Sequence, residues 1–195
     1  MCASARHCAV FAVVLATAAA VSAAAATPTR VLDLEGRAVN PLHPPAGVVA
    51  TVLVFTTTDC PVANRYAPEI KRLADRFRDR GVRFWLVYPV PGDTAAVVRT
   101  HLSTFAYGLP AVRDTALELV AASGVTVTPE VAVADAQGRF VYRGRIDDRY
   151  LDIGRDRLEP TAKDLEQALV ASVSGQPVAV HETRAVGCVL ADLVK

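Results

Sequence analysis

Residues 52–77 read VLVFTTTDCPVANRYAPEIKRLADRF, and the hydrophobic period changes within them. Val52-Leu53-Val54-Phe55 is a short apolar run with the β-branched content of a buried strand. Three threonines, Asp59 and Cys60-Pro61 follow. Val62, Tyr66, Ile70, Leu73 and Phe77 then recur at steps of four, four, three and four, which is one face of an α-helix. The stretch is predicted as strand, short loop and helix, with Cys60 at the helix's first turn. Pro61 suits the first helical position, where no backbone N–H is needed. The first N–H groups of a helix lack internal partners and carry partial positive charge, so a thiolate placed there is stabilised. Asp59 opposes this if its carboxylate faces the sulfur. Free cysteines are most often small buried hydrophobes. The place of Cys60 between strand and helix, among polar residues, favours a nucleophile at least partly open to solvent.

Towards the N-terminus, residues 1–26 carry Arg6 and His7 and then an alanine-rich apolar run. Val21-Ser22-Ala23 and Ala24-Ala25-Ala26 both resemble small-residue cleavage sites. The segment is expected to be a secretory signal peptide, which implies export to the periplasm or the extracellular space and no membrane attachment after cleavage; an uncleaved anchor helix is the other reading. Its removal takes Cys2 and Cys8 with it and leaves Cys60 and Cys188 as the thiols of the mature chain. In an oxidising compartment such a pair can hold a disulfide, and two thiols are too few for a structural zinc site. No metal and no cofactor are expected. The chain has 21 Lys+Arg against 20 Asp+Glu, so no charge bias points to nucleic acid.

Residues 27–47 are expected to be an extension holding a weak hairpin about Glu35-Gly36, with no chemistry of its own. Beyond the central helix, 82–88 reads as a strand containing Trp85, and 94–105 as a helix on which His101 is simplest as a surface residue. Ala111-Val112 is too short to assign. Asp114 is expected to cap a helix that Gly124 ends. Residues 131–134 and 139–146 form a hairpin about Asp135-Ala136-Gln137-Gly138. Asp147 and Asp148 sit at its end and, being adjacent, diverge. Residues 161–173 have a helical period, and the tail 176–195, with His181 and Cys188, has none.

The element order is that of an α/β chain ending in an antiparallel hairpin and a helix. Over residues 48–175 it resembles the thioredoxin-fold redoxins, the grouping of thioredoxins, secreted thiol–disulfide oxidoreductases and peroxiredoxins of the AhpC/TSA-like type. Three features carry the resemblance. Cys60 follows the central strand and opens the helix, where these proteins keep their nucleophile. Pro68, eight residues on, matches the proline that kinks their active-site helix, and it removes the bond to the Asn64 carbonyl. Thr128-Pro129, before a strand, matches their cis-proline loop, which packs against the nucleophile and holds the substrate's backbone.

The resemblance implies a thioredoxin-like fold with a central mixed sheet flanked by helices, and an exported thiol–disulfide oxidoreductase. Its partners would be protein or small-molecule thiols and disulfides. Cys60 would be the nucleophile, Thr128 and Pro129 the substrate-binding residues, and Cys188 or an outside thiol the resolving group. The chain departs from the pattern at two places. Asp59 and Ala63 stand where thioredoxins have the tryptophan and second cysteine of Trp-Cys-x-x-Cys. Thr57 matches the peroxiredoxin threonine three residues before the cysteine, but Leu53 occupies the proline position. A thiol peroxidase, with Thr57 holding the peroxide and Arg143 or Arg145 replacing the usual arginine, is therefore an alternative. A non-catalytic binding module is another. Cys188 itself is open to three readings: a bridge to Cys60, a bridge between chains, or a packed small apolar residue among Val186, Val189 and Leu190.

Overall fold

A computed structural model describes residues 31–193, so the expected signal peptide at 1–26 lies outside the described residues. At its centre is β3 (Ala50–Phe55), buried along its whole length. A strand covered on both faces has no polar alternation, and its side chains divide by parity. Ala50, Val52 and Val54 enter one apolar cluster, while Leu53 and Phe55 enter the other.

The remaining elements follow in chain order. The hairpin β1 (Val31–Asp33) and β2 (Ala38–Val39) precedes β3. After it come α1 (Pro61–Arg65), α2 (Ala67–Phe77), a single 3-10 turn, β4 (Val82–Tyr88), α3 (Ala95–Thr104), β5 (Ala111–Arg113) and α4 (Glu118–Ser123). Then come β6 (Val127–Thr128), β7 (Glu130–Asp135), β8 (Phe140–Gly144), the small hairpin β9 (Tyr150–Asp152) and β10 (Arg155–Asp156), and α5 (Asp164–Val173). The tail ends in β11 (Cys188–Val189) and α6 (Leu190–Leu193).

Seven strands form one sheet in the order β2-β1-β5-β4-β3-β7-β8. Strands β3, β4 and β5 are parallel, and β1, β7 and β8 run against their neighbours, so the sheet is mixed as expected. One face carries the buried side of α1, α2 and α5, and the other carries Leu119 of α4 and Leu190 of α6. Ala111–Arg113, too short to assign from sequence, is a strand because β1 and β4 flank it. The hairpin of residues 31–39 shares this sheet with residues 48–175.

The predicted helix of 61–77 is broken in two at Tyr66. Pro68 has no N–H to give to Asn64, and the chain turns there before Ile70 N–H bonds the Tyr66 carbonyl at 2.9 Å. Among the described residues no helix is long and apolar enough to cross a membrane.

Two corrections concern side chains and the tail. His101 is buried rather than at the surface. The tail has secondary structure after all, since β11 pairs antiparallel with β6, with Cys188 opposite Thr128 and Val189 opposite Val127. A two-residue strand leaves no periodicity for a sequence to display.

Candidate active site

Cys60 is the N-cap of α1, with an extended backbone (φ −81°, ψ 108°), and Pro61 takes the first helical position. Asn64 N–H bonds the Cys60 carbonyl at 3.0 Å and so closes the first helical turn. The sulfur therefore sits where strand β3 delivers it, at the mouth of the helix.

It is not open to solvent, contrary to the sequence expectation, since Cys60 is 1% exposed. Two groups cover it. The Cys60 S–H donates to the Thr128 carbonyl at 3.1 Å, and the Cys188 S–H donates to Cys60 Sγ at 2.8 Å. The two cysteines are free thiols in contact, 128 positions apart in sequence. Burial, followed by the hydrogen bond to Cys60, pushes the Cys188 thiol up to about 12, so it holds its proton at neutral pH and acts as the donor.

Thr128 and Pro129 are both buried, and the bond between them is cis. Gly187 lies directly on this peptide, where an added Cβ would run into the Thr128 carbonyl. Only glycine permits so close an approach. Thr57 is buried as well, and its carbonyl faces the Cys60 N–H at 3.5 Å.

A polar chain missed at the sequence level supports the loop before Cys60. Asn64 Nδ2 donates to the Thr58 carbonyl at 3.1 Å, so its Oδ1 is the acceptor facing His101 Nε2 at 2.7 Å. His101 Nε2 then carries the proton, and Nδ1 accepts from the Tyr88 hydroxyl at 2.8 Å. Burial lowers the His101 pKa, against the fields of Asp93 and Asp59, which keeps the ring neutral in this tautomer. Phe105 and Tyr107 pack around the ring at centroid distances of 4.8 and 5.7 Å. Thr58 Oγ1 donates to Asp93 Oδ1 at 2.6 Å, and Arg113 Nε donates to the Asp93 carbonyl at 2.9 Å. One sequence signal pointed here: Asn64 and Cys60 are four apart and share a helix face. Nothing in the sequence joined His101 to them.

On the far side of α1, Tyr66 donates to Asp147 at 2.5 Å, and burial and this carboxylate raise the phenol's pKa. Asp148 accepts from Thr161 N, Thr161 Oγ1 and Ala162 N at 2.6, 2.5 and 2.8 Å. The adjacent aspartates thus diverge into two structural roles. Among the described residues no group of three or more His, Cys, Asp or Glu side chains is arranged to hold a metal ion.

Neither hairpin arginine is directed at the sulfur. Arg143 is committed to the Gly124 carbonyl and Glu182, and Arg145 to Asp164 at 2.7 Å.

The chain is similar in structure to several solved proteins. An uncharacterized conserved protein from Geobacillus kaustophilus superposes with a TM-score of 0.73 at 25% identity, covering 85% of this chain and 88% of that one. A Sinorhizobium meliloti protein gives 0.71 at 22%, covering 85% and 91%. A secreted disulfide oxidoreductase of Mycobacterium tuberculosis, homologous to E. coli DsbE, gives 0.50 at 17%, covering 76% and 96%. The thioredoxin domain of a Bacteroides vulgatus thiol–disulfide oxidoreductase gives 0.50 at 15%, covering 59% and 81%. The fold is thioredoxin-like. No family model matches the chain, and no curated protein matches it. Within this thioredoxin-like fold, the second thiol lies on a C-terminal strand instead of three residues after the first.

Proposed function

We propose that the protein is a thiol–disulfide oxidoreductase in which Cys60 and Cys188 form one redox couple. The observation that carries this reading is the 2.8 Å contact between the two sulfurs at the mouth of α1. In the reducing direction, the Cys60 thiolate attacks one sulfur of a substrate disulfide. A Cys60–substrate disulfide forms, the substrate S–S bond breaks, and the departing thiolate takes a proton from water. Cys188, once deprotonated, attacks the Cys60 sulfur and releases the second substrate thiol. The protein is left with a Cys60–Cys188 disulfide, and two electrons have passed to the substrate. An external thiol reductant resets the pair by the same exchange.

Thr128 and Pro129 shape the wall against which the substrate sulfur is presented. Substrates are protein or small-molecule disulfides. Disulfide chemistry in two proteins of the same fold supports this reading by analogy. With residues 1–26 removed as a signal peptide, the protein works in the periplasm or outside the cell, where such a bond persists. The peroxidase reading is the weaker one, because Arg143 and Arg145 are engaged elsewhere.

Mass mapping without reductant tests the proposal. The reduced protein, exposed to a small disulfide, is expected to lose two hydrogens and to yield a peptide pair linked through Cys60 and Cys188. Cys188→Ser is expected to stop at a mixed disulfide on Cys60. Two freely alkylated thiols after the same exposure would overturn the couple.

A further inference from the structure

Four of the chain's five tyrosines have a partner for the phenolic oxygen. Tyr66 bonds Asp147, Tyr88 bonds His101, Tyr142 bonds Thr183 and the Arg145 carbonyl, and Tyr150 accepts from Arg65. Tyr107 is the exception. It is 1% exposed, and its hydroxyl is buried without a hydrogen-bond partner. A buried phenol normally finds one, because its O–H otherwise gives up water for nothing.

Local structure explains the ring and not the oxygen. Helix α3 ends in a Schellman turn, in which Ala106 N–H bonds the Ser103 carbonyl at 3.2 Å and Tyr107 N–H bonds the Leu102 carbonyl at 3.1 Å. The turn needs a left-handed residue after Phe105, and Ala106 takes that conformation at φ 49° although it is not glycine. Such a turn folds an apolar residue at position 107 back onto the helix. The Tyr107 ring packs there against His101 and Phe105, with centroids 5.7 and 6.4 Å away. Phenylalanine would serve as well without burying an unused O–H.

The reactive sulfur lies in the same part of the core. Tyr107 and Cys60 share one apolar cluster, and burial and the Cys60 charge raise the phenol's pKa, so it keeps its proton. Cys60 is short of donors for a charged state. Pro61 has no N–H, and the sulfur accepts nothing from the backbone of α1. Asn64 Nδ2 is spent on the Thr58 carbonyl. As a thiol, Cys60 donates to the Thr128 carbonyl at 3.1 Å. Once ionised it has no proton to give, the two electron-rich atoms repel, and the sulfur must turn towards a donor. We infer that the Tyr107 hydroxyl is that donor, unpaired in the thiol state and bonded to the sulfur in the thiolate state. The Cys60 proton leaves to solvent, and Tyr107 keeps its own. This inference deepens the proposed redox reading and rests on it, since it names what readies Cys60 for attack on a disulfide.

Tyr107→Phe removes the oxygen and nothing else. The rate of Cys60 alkylation against pH, followed by mass mapping, tests it in a Cys188→Ala background, where no second thiol bonds the sulfur. Losing a bond to the thiolate lowers the thiolate fraction and raises the nucleophilicity of what remains. A tenfold fall in that fraction is therefore expected as about threefold slower alkylation on the acid side of the profile and about threefold faster on its alkaline plateau. The urea midpoint is expected to hold or rise, because an unpaired buried O–H has gone. Superposable profiles, or a change of the same sign at every pH, would overturn the inference. So would a midpoint that falls as far as Tyr88→Phe lowers it, since the hydroxyl would then have a partner in the folded thiol. The background cannot form a Cys60–Cys188 bond, so these outcomes are separate from the couple. Failure of the parent to link its two thiols on oxidation would sink the couple alone.

Discussion

His101 Nε2 donates a 2.7 Å hydrogen bond to Asn64 Oδ1, which ties the helix of Cys60 to α3. Asn64→Ala leaves the Thr58 carbonyl and the imidazole N–H without their partner. It is expected to cost about 1–3 kcal/mol, read by urea unfolding. Asn64→Asp is expected to restore the acceptor but not the donor to Thr58, and so to recover only part of the loss.

The same imidazole makes folding sensitive to mild acid. Burial lowers its folded-state pKa below the ordinary 6.5. Above that value both states are neutral and the contribution is whole. As pH falls below 6.5 the unfolded chain takes up a proton that the folded one resists, and stability is lost as pH falls through the folded value. Unfolding measured at about pH 7 and about pH 5 should show this loss, and His101→Gln should flatten it.

The Cys188 thiol should be slow to react at neutral pH. Cys188 is pushed up to about 12 by burial and by its bond to Cys60, so its alkylation is expected to rise only in strongly alkaline solution. The neutral thiol is the form that packs in the folded state. Its contribution to tail docking is therefore whole below the ordinary value of 9.0 and is lost as pH rises through about 12. A Cys188 alkylation midpoint near that of a free thiol would contradict this.

Oxidation of the pair should stabilise the domain. The bond would close a loop of 128 positions, which in the chain-entropy account restricts the unfolded state by about 4–5 kcal/mol. Denaturant midpoints of the oxidised and reduced protein are expected to differ in that direction. No difference would mean that the bond strains the folded state by as much as it restricts the unfolded one.

Asp148 offers a test away from sulfur chemistry. Against the opposing effect of burial, its bonds to Ala162 and Thr161 hold its carboxyl down at about 2. That stability is present above the ordinary 3.8 and is lost as pH falls through about 2. Asp148→Asn is expected to cost about 1–3 kcal/mol at neutral pH and to remove this part of the acid response.

What could be read in advance was whatever local chemistry decides. The run 52–55, the strand 82–88 and the helix 94–105 announce themselves by period, and Pro68 breaks the helix because it has no N–H wherever it is placed. Ala111–Arg113 was illegible because its strand character comes from β1 and β4 on either side. His101 sits on a helix of weak amphipathicity, and its burial comes from Tyr88, Phe105 and Tyr107, which no spacing links to it. The exposure expected for Cys60 failed for a related reason. A loop before a helix is usually open, and here it is closed by a segment 128 positions away.

The pairing of the tail with β8 has one more effect. Strand β8 ends the sheet, and its outward N–H and C=O groups at Arg143 are taken by His181 and Thr183. Strand β2, at the opposite end, is only two residues long. The sheet thus offers little unsatisfied backbone for another chain to extend. Loss of the tail after a proteolytic cut before His181 would uncover the Cys60 sulfur and an unpaired strand in a single event, and the clipped protein would be prone to aggregate.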